Sequence, residues 1–171
     1  MTEVNELPPL TGYRVLDLAG PLGFHCTKLL ADMGADVIKV EPPAGDESRR
    51  MPPFKDDTPH PEKSLYFLHF NTNKRAITLD VTKPDGREIL LELCKKVDVV
   101  IETQRPSRAK ELRLTYQDLS SVNPALTVAS ITPFGQSGPW RDYKANDMAG
   151  IALGNLLYLA GEPGEPPLQP P

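Results

Sequence analysis

Residues 13–41, YRVLDLAGPLGFHCTKLLADMGADVIKVE, decide the fold. Tyr13–Leu18 is a short run of β-branched and aliphatic residues and predicts a strand. Gly20-Pro21 breaks it, after which Leu22, Cys26, Leu29, Leu30 and Met33 recur at helical spacing. Gly34 stands where a left-handed residue closes a helix, and Asp36–Glu41 follows at once as a second strand. Strand, helix and strand joined this tightly form a βαβ unit, so the two strands are expected to be parallel with a right-handed crossover.

The alternation continues outward. Ala76–Asp80, Val97–Glu102 and Leu126–Ile131 read as further strands. Pro84 suits the first turn of a helix carrying Ile89, Leu90, Leu93 and Cys94, with Lys95 and Lys96 at its negative end. A short helix is expected around Ala109–Leu112, and a second is opened by Thr115 with Asp118 at capping-box spacing. Ser64–Phe70 is an aromatic cluster. The pattern predicts an α/β fold: an open, mostly parallel, doubly wound sheet of Rossmann-like layering, helices on both faces. No internal repeat is visible.

At 171 residues the chain has the size of one domain and leaves no room for a second catalytic one. Its 19 basic and 23 acidic residues are mixed along the sequence, net −4, with no basic run to track a phosphate backbone, so nucleic acid is not an expected partner. No segment approaches the roughly 20 apolar residues that cross a bilayer, and MTEVNELPPL at the start has no signal-peptide core. The expectation is a cytoplasmic protein with no membrane partner. Cys26 and Cys94 read as reduced, partly buried thiols on helices. His25, His60 and His69 lack metal-ligand spacing, so no metal is expected. Among 19 prolines, one group falls between Glu41 and Ser64 and marks a loop. Another crowds the end, where 162–171 reads as a proline-rich linker or truncation point; residues 1–9 read as an N-terminal extension.

Ligands of such sheets sit outside the carboxyl ends of the strands, which directs attention to Ala19–Gly23, Glu41–Arg50, Asp80–Lys83, Glu102–Arg108 and Thr132–Lys144. AGPLG at 19–23 offers small residues and free backbone N–H groups for a phosphate or carboxylate. Glu41 follows Gly20 at the spacing of a ribose-binding acid, but the G-x-G-x-x-G turn is absent, so NAD is not expected. Asn71, Asn73, Lys74 and Arg75 are either a solvated loop or a polar site. Lys144 and Asp147 would share a helix face if a helix begins near Asn146, a surface ion pair being the alternative.

Four blocks stand in order: LTGYRVLDLAGP (10–21), LADMGADVIKVEPPAGDESR (30–49), FNTNKRAITLD (70–80) and SITPFGQSGPWRDYKANDMAG (130–150). Together they resemble the class III CoA-transferase family, which includes formyl-CoA transferase, carnitine CoA-transferase and the α-methylacyl-CoA racemases. The resemblance covers about Leu10–Gly161. It implies the N-terminal CoA-binding domain of an interlocked homodimer, with an acyl-CoA and a carboxylic acid as substrates and coenzyme A as the carried group. By resemblance, Leu79–Thr82 meets the adenine, and the loop Glu102–Ser107, through Thr103, Gln104 and Arg105, meets the diphosphate. Ala19, Gly20 and Pro21 would face the thioester, Lys144 would contact CoA, and Asp147 is a possible supporting acid. The family attacks the thioester with an aspartate carboxylate, forming a mixed anhydride before CoA passes to the acceptor. That aspartate is expected just beyond Pro171, so the 171-residue chain alone is expected to be inactive.

Three departures accompany the resemblance. Asn146 replaces the racemases' acid/base histidine, which weighs against racemase activity. The diphosphate loop, usually Glu-Asn-Phe-(Arg or Gly)-Pro-Gly, reads ETQRPS at 102–107. Family cations are matched by Glu111 and Pro42, for which Arg108 or Lys110 could substitute. The alternatives are a non-catalytic, degenerate CoA-fold module and, further off, an acyl-CoA racemase.

Overall fold

The computed structural model describes residues 7–162 and 164–168. Pro163 and residues 169–171, part of the proline-rich end, lie outside the described residues, as do residues 1–6 of the expected extension. Five strands, β1 (Arg14–Leu18), β2 (Asp36–Glu41), β3 (Arg75–Thr78), β4 (Val99–Glu102) and β5 (Thr127–Ser130), form one sheet in the order β3-β2-β1-β4-β5. Every pairing is parallel. The helices are α1 (Phe24–Asp32), α2 (Leu65–Phe70), α3 (Pro84–Cys94), α4 (Pro106–Glu111), α5 (Tyr116–Ser120) and α6 (Asp147–Leu153).

Side chains alternate across a strand, and the register shows both faces buried. Leu16 lies opposite Ile38 and Val100, and these three pack with Leu90 and Cys94 of α3, Ala109 of α4 and Leu119 of α5. Val15, Val37 and Ile101 turn the other way, onto Ala31 of α1. The predicted stripe on α1 is in the wrong phase. Leu22 is 54% and Met33 41% exposed, whereas Phe24, Thr27 and Ala31 are buried. The small Thr27 and Ala31 let the helix lie close to the sheet, and a reading keyed to leucine and methionine passes over them. Cys26 is accordingly exposed, a correction to the expected partial burial, while Cys94 is fully buried.

Local signals account for most element ends. Gly34 has φ +96° and donates to Ala31 O while Ala35 donates to Leu30 O, the paired bonds of a Schellman stop. Thr115 and Asp118 form the capping box that their spacing predicts. The aromatic run after Ser64 becomes α2, because the Ser64 hydroxyl accepts the Phe67 N–H. The three later strands differ from the expectation at their ends: β3 starts one residue earlier, at Arg75, and stops at Thr78, β4 starts only at Val99, and β5 is trimmed to Thr127–Ser130.

Gly86, in the first turn of α3, holds β3 and α3 together most tightly: a Cβ there would collide with the carbonyl oxygen of Asp80. Gly86→Ala is expected to destabilise the fold by about 1–3 kcal/mol through overpacking. Gly150→Ala, in open space on α6, is expected to leave stability equal or slightly higher. Urea midpoints of the two variants against the parent chain check this pair.

Candidate functional site

The chain runs outward from β1 through β2 to β3 and then returns to the other side of β1 at β4. The topological switch point therefore lies between β1 and β4, where the turn 19–23 faces the loop 103–107. This point is closed by the protein itself. Gly20 N–H donates to Thr103 Oγ1 at 2.8 Å. A Cβ on Gly23 would lie 2.8 Å from both the Ala19 Cβ and the Thr103 Cγ2. Ala19 N–H is taken by Asp17 Oδ1 at 2.9 Å, Gly23 N–H by the Gly20 carbonyl, and Pro21 has none to give. The N–H groups of Ala19 and Gly20 are thus not free to receive an anion, contrary to the expectation for this turn.

Beneath the turn lies a set of buried charges that the sequence reading did not assemble. Lys74 Nζ is 3.0 Å from Asp17 Oδ2 and donates to Thr27 Oγ1 (2.7 Å) and Asn71 Oδ1 (2.9 Å). Burial pushes the Lys74 ammonium below its ordinary range, and Asp17 works against that shift. Lys39 pairs with Asp46 at 3.0 Å, donates to the Ala19 carbonyl and lies over the Phe24 ring. Glu41 is clamped by Arg49 through two bonds of 2.6 and 2.7 Å, and the Arg49 guanidinium stacks on Phe67. Arg49 holds the Glu41 carboxyl below the usual carboxylate range. Glu41 is therefore a structural ion-pair partner, and its likeness to a ribose-binding acid is a coincidence of spacing. The segment at 71–75 divides: Lys74 and Asn71 turn inward to this set, while Asn73 and Arg75 stay exposed, bonded to Asp32 and Asp36.

At the end of β4, Glu102 is fully buried. Its Oε2 accepts the Gln104 N–H at 2.6 Å, while Oε1 has no hydrogen-bond partner among the described residues. Burial pushes this carboxyl up, outweighing the Ser130 hydroxyl and the Gln104 amide that favour the anion. The next turn is also internally engaged. Ser107 N–H donates to Asp142 Oδ1 at 2.8 Å, and Arg105 Nη1 donates to the Asp142 carbonyl at 3.0 Å.

An open cleft of about 730 Å³ lies between α3 and α4. It brings together Thr82, which follows β3, and Arg108 on α4, two residues far apart in sequence. Leu79, half-buried, extends the ladder below Thr82 by donating to the Glu41 carbonyl. Lys83, Arg87 and Arg113 also line the cleft; the sequence reading reached Lys83 through the segment Asp80–Lys83 and missed Arg87 and Arg113. The helical phase from Pro84 carries Arg87 one turn along α3, a usable signal; the positive φ of Arg113 that closes the turn after α4 was not one. Lys144 and Asp147 are both exposed and lie away from the cleft lining. They do not share a helix face, because α6 starts at Asp147 with Asn146 as its cap and Lys144 precedes it.

Among the described residues no group of three His, Cys, Asp or Glu side chains could hold a metal. No helix there is long and apolar enough to cross a membrane. The sequence model described as CoA-transferase family III matches residues 10–171. Succinyl-CoA:(R)-benzylsuccinate CoA-transferase subunit BbsE of Thauera aromatica is 40% identical over 159 residues, 93% of this chain and 39% of that protein. Succinate--glutarate CoA-transferase of Agrobacterium fabrum is 38% identical over 174 residues, covering 99% of this chain and 44% of the relative. The crystal structure of a CAIB/BAIF family protein from Brucella suis superposes with a TM-score of 0.86 at 35% identity, covering 96% of this chain and 44% of that one. The chain thus spans about two fifths of the length of these relatives.

Glu102 has a testable signature. A carboxyl raised by folding adds stability below its unfolded pKa of about 4.3 and takes it away as pH rises through the folded value. Glu102→Gln, which keeps an acceptor for the Gln104 N–H, is expected to be more stable than the parent at pH 8. That advantage should shrink steadily as pH falls toward 4, as read by urea unfolding across the range.

Proposed function

The chain belongs to CoA-transferase family III, and from that membership we propose that residues 10–161 bind the CoA portion of an acyl-CoA whose CoA passes to a carboxylic acid. The observation that carries this reading is the cleft between α3 and α4. It joins the end of β3, where resemblance directs the adenine, to Arg108 beside the loop where it directs the diphosphate. Four cationic side chains line the cleft, a balance suited to a polyanionic nucleotide. With the amides of Gln104 and Ser107 already taken by Glu102 and Asp142, side-chain cations take over the role of loop backbone. Arg108 stands one turn before Glu111, which occupies the position of a family cation, and it substitutes for that cation.

In this reading the protein's residues orient the thioester and the chemistry is nucleophilic. A carboxylate attacks the thioester carbonyl, the C–S bond breaks, and an acyl anhydride and CoA thiolate result. The acceptor carboxylate then displaces the donor acid from the enzyme's acyl carbon, and the thiolate attacks the acceptor's acyl carbon of the new anhydride, releasing the enzyme carboxylate and the acceptor's CoA thioester. The attacking aspartate belongs to sequence beyond Pro171 in this proposal, and Asp147 is a supporting acid at the thioester end. Lys144, Ala19, Gly20 and Pro21 contact the pantetheine side, with the assembled enzyme a cytoplasmic homodimer. Succinyl-CoA, named in one of the relatives, is the first donor to test. A racemase is disfavoured because Asn146 carries no titratable group and its Oδ1 accepts the Ala149 N–H as a helix cap.

The 171-residue chain is expected to bind CoA in a calorimetric titration, and Arg108→Ala to weaken that binding about fivefold, the effect of roughly 1 kcal/mol from a partly solvated charge. Absence of saturable binding would overturn the reading. Isotope exchange between succinyl-CoA and free succinate, run on the same chain, is expected at background; clear exchange would place the nucleophile within residues 1–171.

A further inference from the structure

The cleft between α3 and α4 holds more positive charge than it neutralises. Lys83, Arg87, Arg108 and Arg113 line it against Glu88 and Glu111. Glu111 is already paired with Arg108 at 2.8 Å. Lys83, Arg87 and Arg113 have no ion-pair partner within 4.0 Å among the described residues. Arg87 is the most telling of these. Its side chain is half-buried in the cleft wall, and its Nη1 is buried with no hydrogen-bond partner among the described residues. Asp118, the carboxylate whose charge acts on Arg87, is committed to the capping box with Thr115. A half-buried cation with no carboxylate in direct contact favours an anionic ligand.

The ligand chemistry follows from position. Lys83 caps α3 and Arg87 stands in its first turns, both lining the cleft with Thr82, which follows β3. An adenine lodged near Leu79–Thr82 brings its own ribose, and whatever that ribose carries, to this wall. A phosphate monoester carries between one and two negative charges at neutral pH and matches the planar fork of a guanidinium. We propose that Arg87, aided by Lys83 and Arg113, receives the ribose 3′-phosphate, so that the chain selects CoA over dephospho-CoA. This rests on the CoA reading above and adds to it a selecting residue that the resemblance does not assign. Glu88, exposed on the cleft rim, faces the same space and disfavours a second anion there.

Dephospho-CoA differs from CoA only in that phosphate, which makes the test direct. Calorimetric titration of the 171-residue chain is expected to show CoA binding about ten- to a hundredfold more tightly than dephospho-CoA, the range of a charge-assisted hydrogen bond. Arg87→Gln should weaken CoA more than dephospho-CoA and so abolish the preference, with its urea midpoint reporting an intact fold. Lys83→Gln, at an exposed position where folding is not at stake, should reduce the preference severalfold. Equal affinity of the parent chain for the two ligands, or an unchanged preference in both variants, overturns the phosphate contact and leaves the CoA reading standing. Binding of neither ligand overturns both.

Discussion

The buried pair of Asp17 and Lys74 is the constraint around which the rest is arranged. Lys74 Nζ joins the end of β1, through Asp17, to Thr27 on α1 and to Asn71 in the turn that leads into β3. An ammonium and a carboxylate taken out of water are tolerable only with this complete set of partners, and removing one leaves a buried charge worth about 3–5 kcal/mol of destabilisation. The pair therefore specifies where α1 and the 71–74 turn must sit relative to the central strand. Lys39 with Asp46 and Arg49 with Glu41 extend the same logic to the loop after β2.

That arrangement determines where a ligand can go. Asp17 uses its second oxygen on the Ala19 N–H, and Thr103 takes the Gly20 N–H, so the crevice that a doubly wound sheet offers at its switch point is sealed by internal bonds. The proposed nucleotide site lies instead in the α3–α4 cleft, whose walls are set by the close passage of Gly86 over Asp80 and by the burial of Ala109 against the sheet. Charged side chains, rather than backbone amides, then define the site.

Much of the architecture was legible from local pattern. The β2 strand falls at Asp36–Glu41 as predicted, the Gly34 stop and the Thr115 cap are present, and Pro84 opens α3. These depend on neighbours within a few residues. The errors arise where distance in sequence or small side chains decide. Lys74 reads as part of a polar loop because its partner lies 57 positions away. Glu41 mimics a nucleotide-binding acid because its clamp, Arg49, belongs to a loop whose path the prolines conceal. The buried face of α1 is carried by Phe24, Thr27 and Ala31, and only one of those is conspicuously apolar. Arg87 and Arg108 come together only because α3 and α4 pack on the same face of the sheet.

The central claim is that the nucleotide end of CoA occupies the α3–α4 cleft rather than the turn at the switch point. Backbone amide shift mapping of the isotope-labelled 171-residue chain during titration with CoA tests it most directly. Saturable shifts centred on Thr82, Lys83, Arg87 and Arg108, with smaller ones at residues 19–21 where the pantetheine passes, are the predicted result. Shifts centred on residues 19–23, or none that saturate, would contradict it.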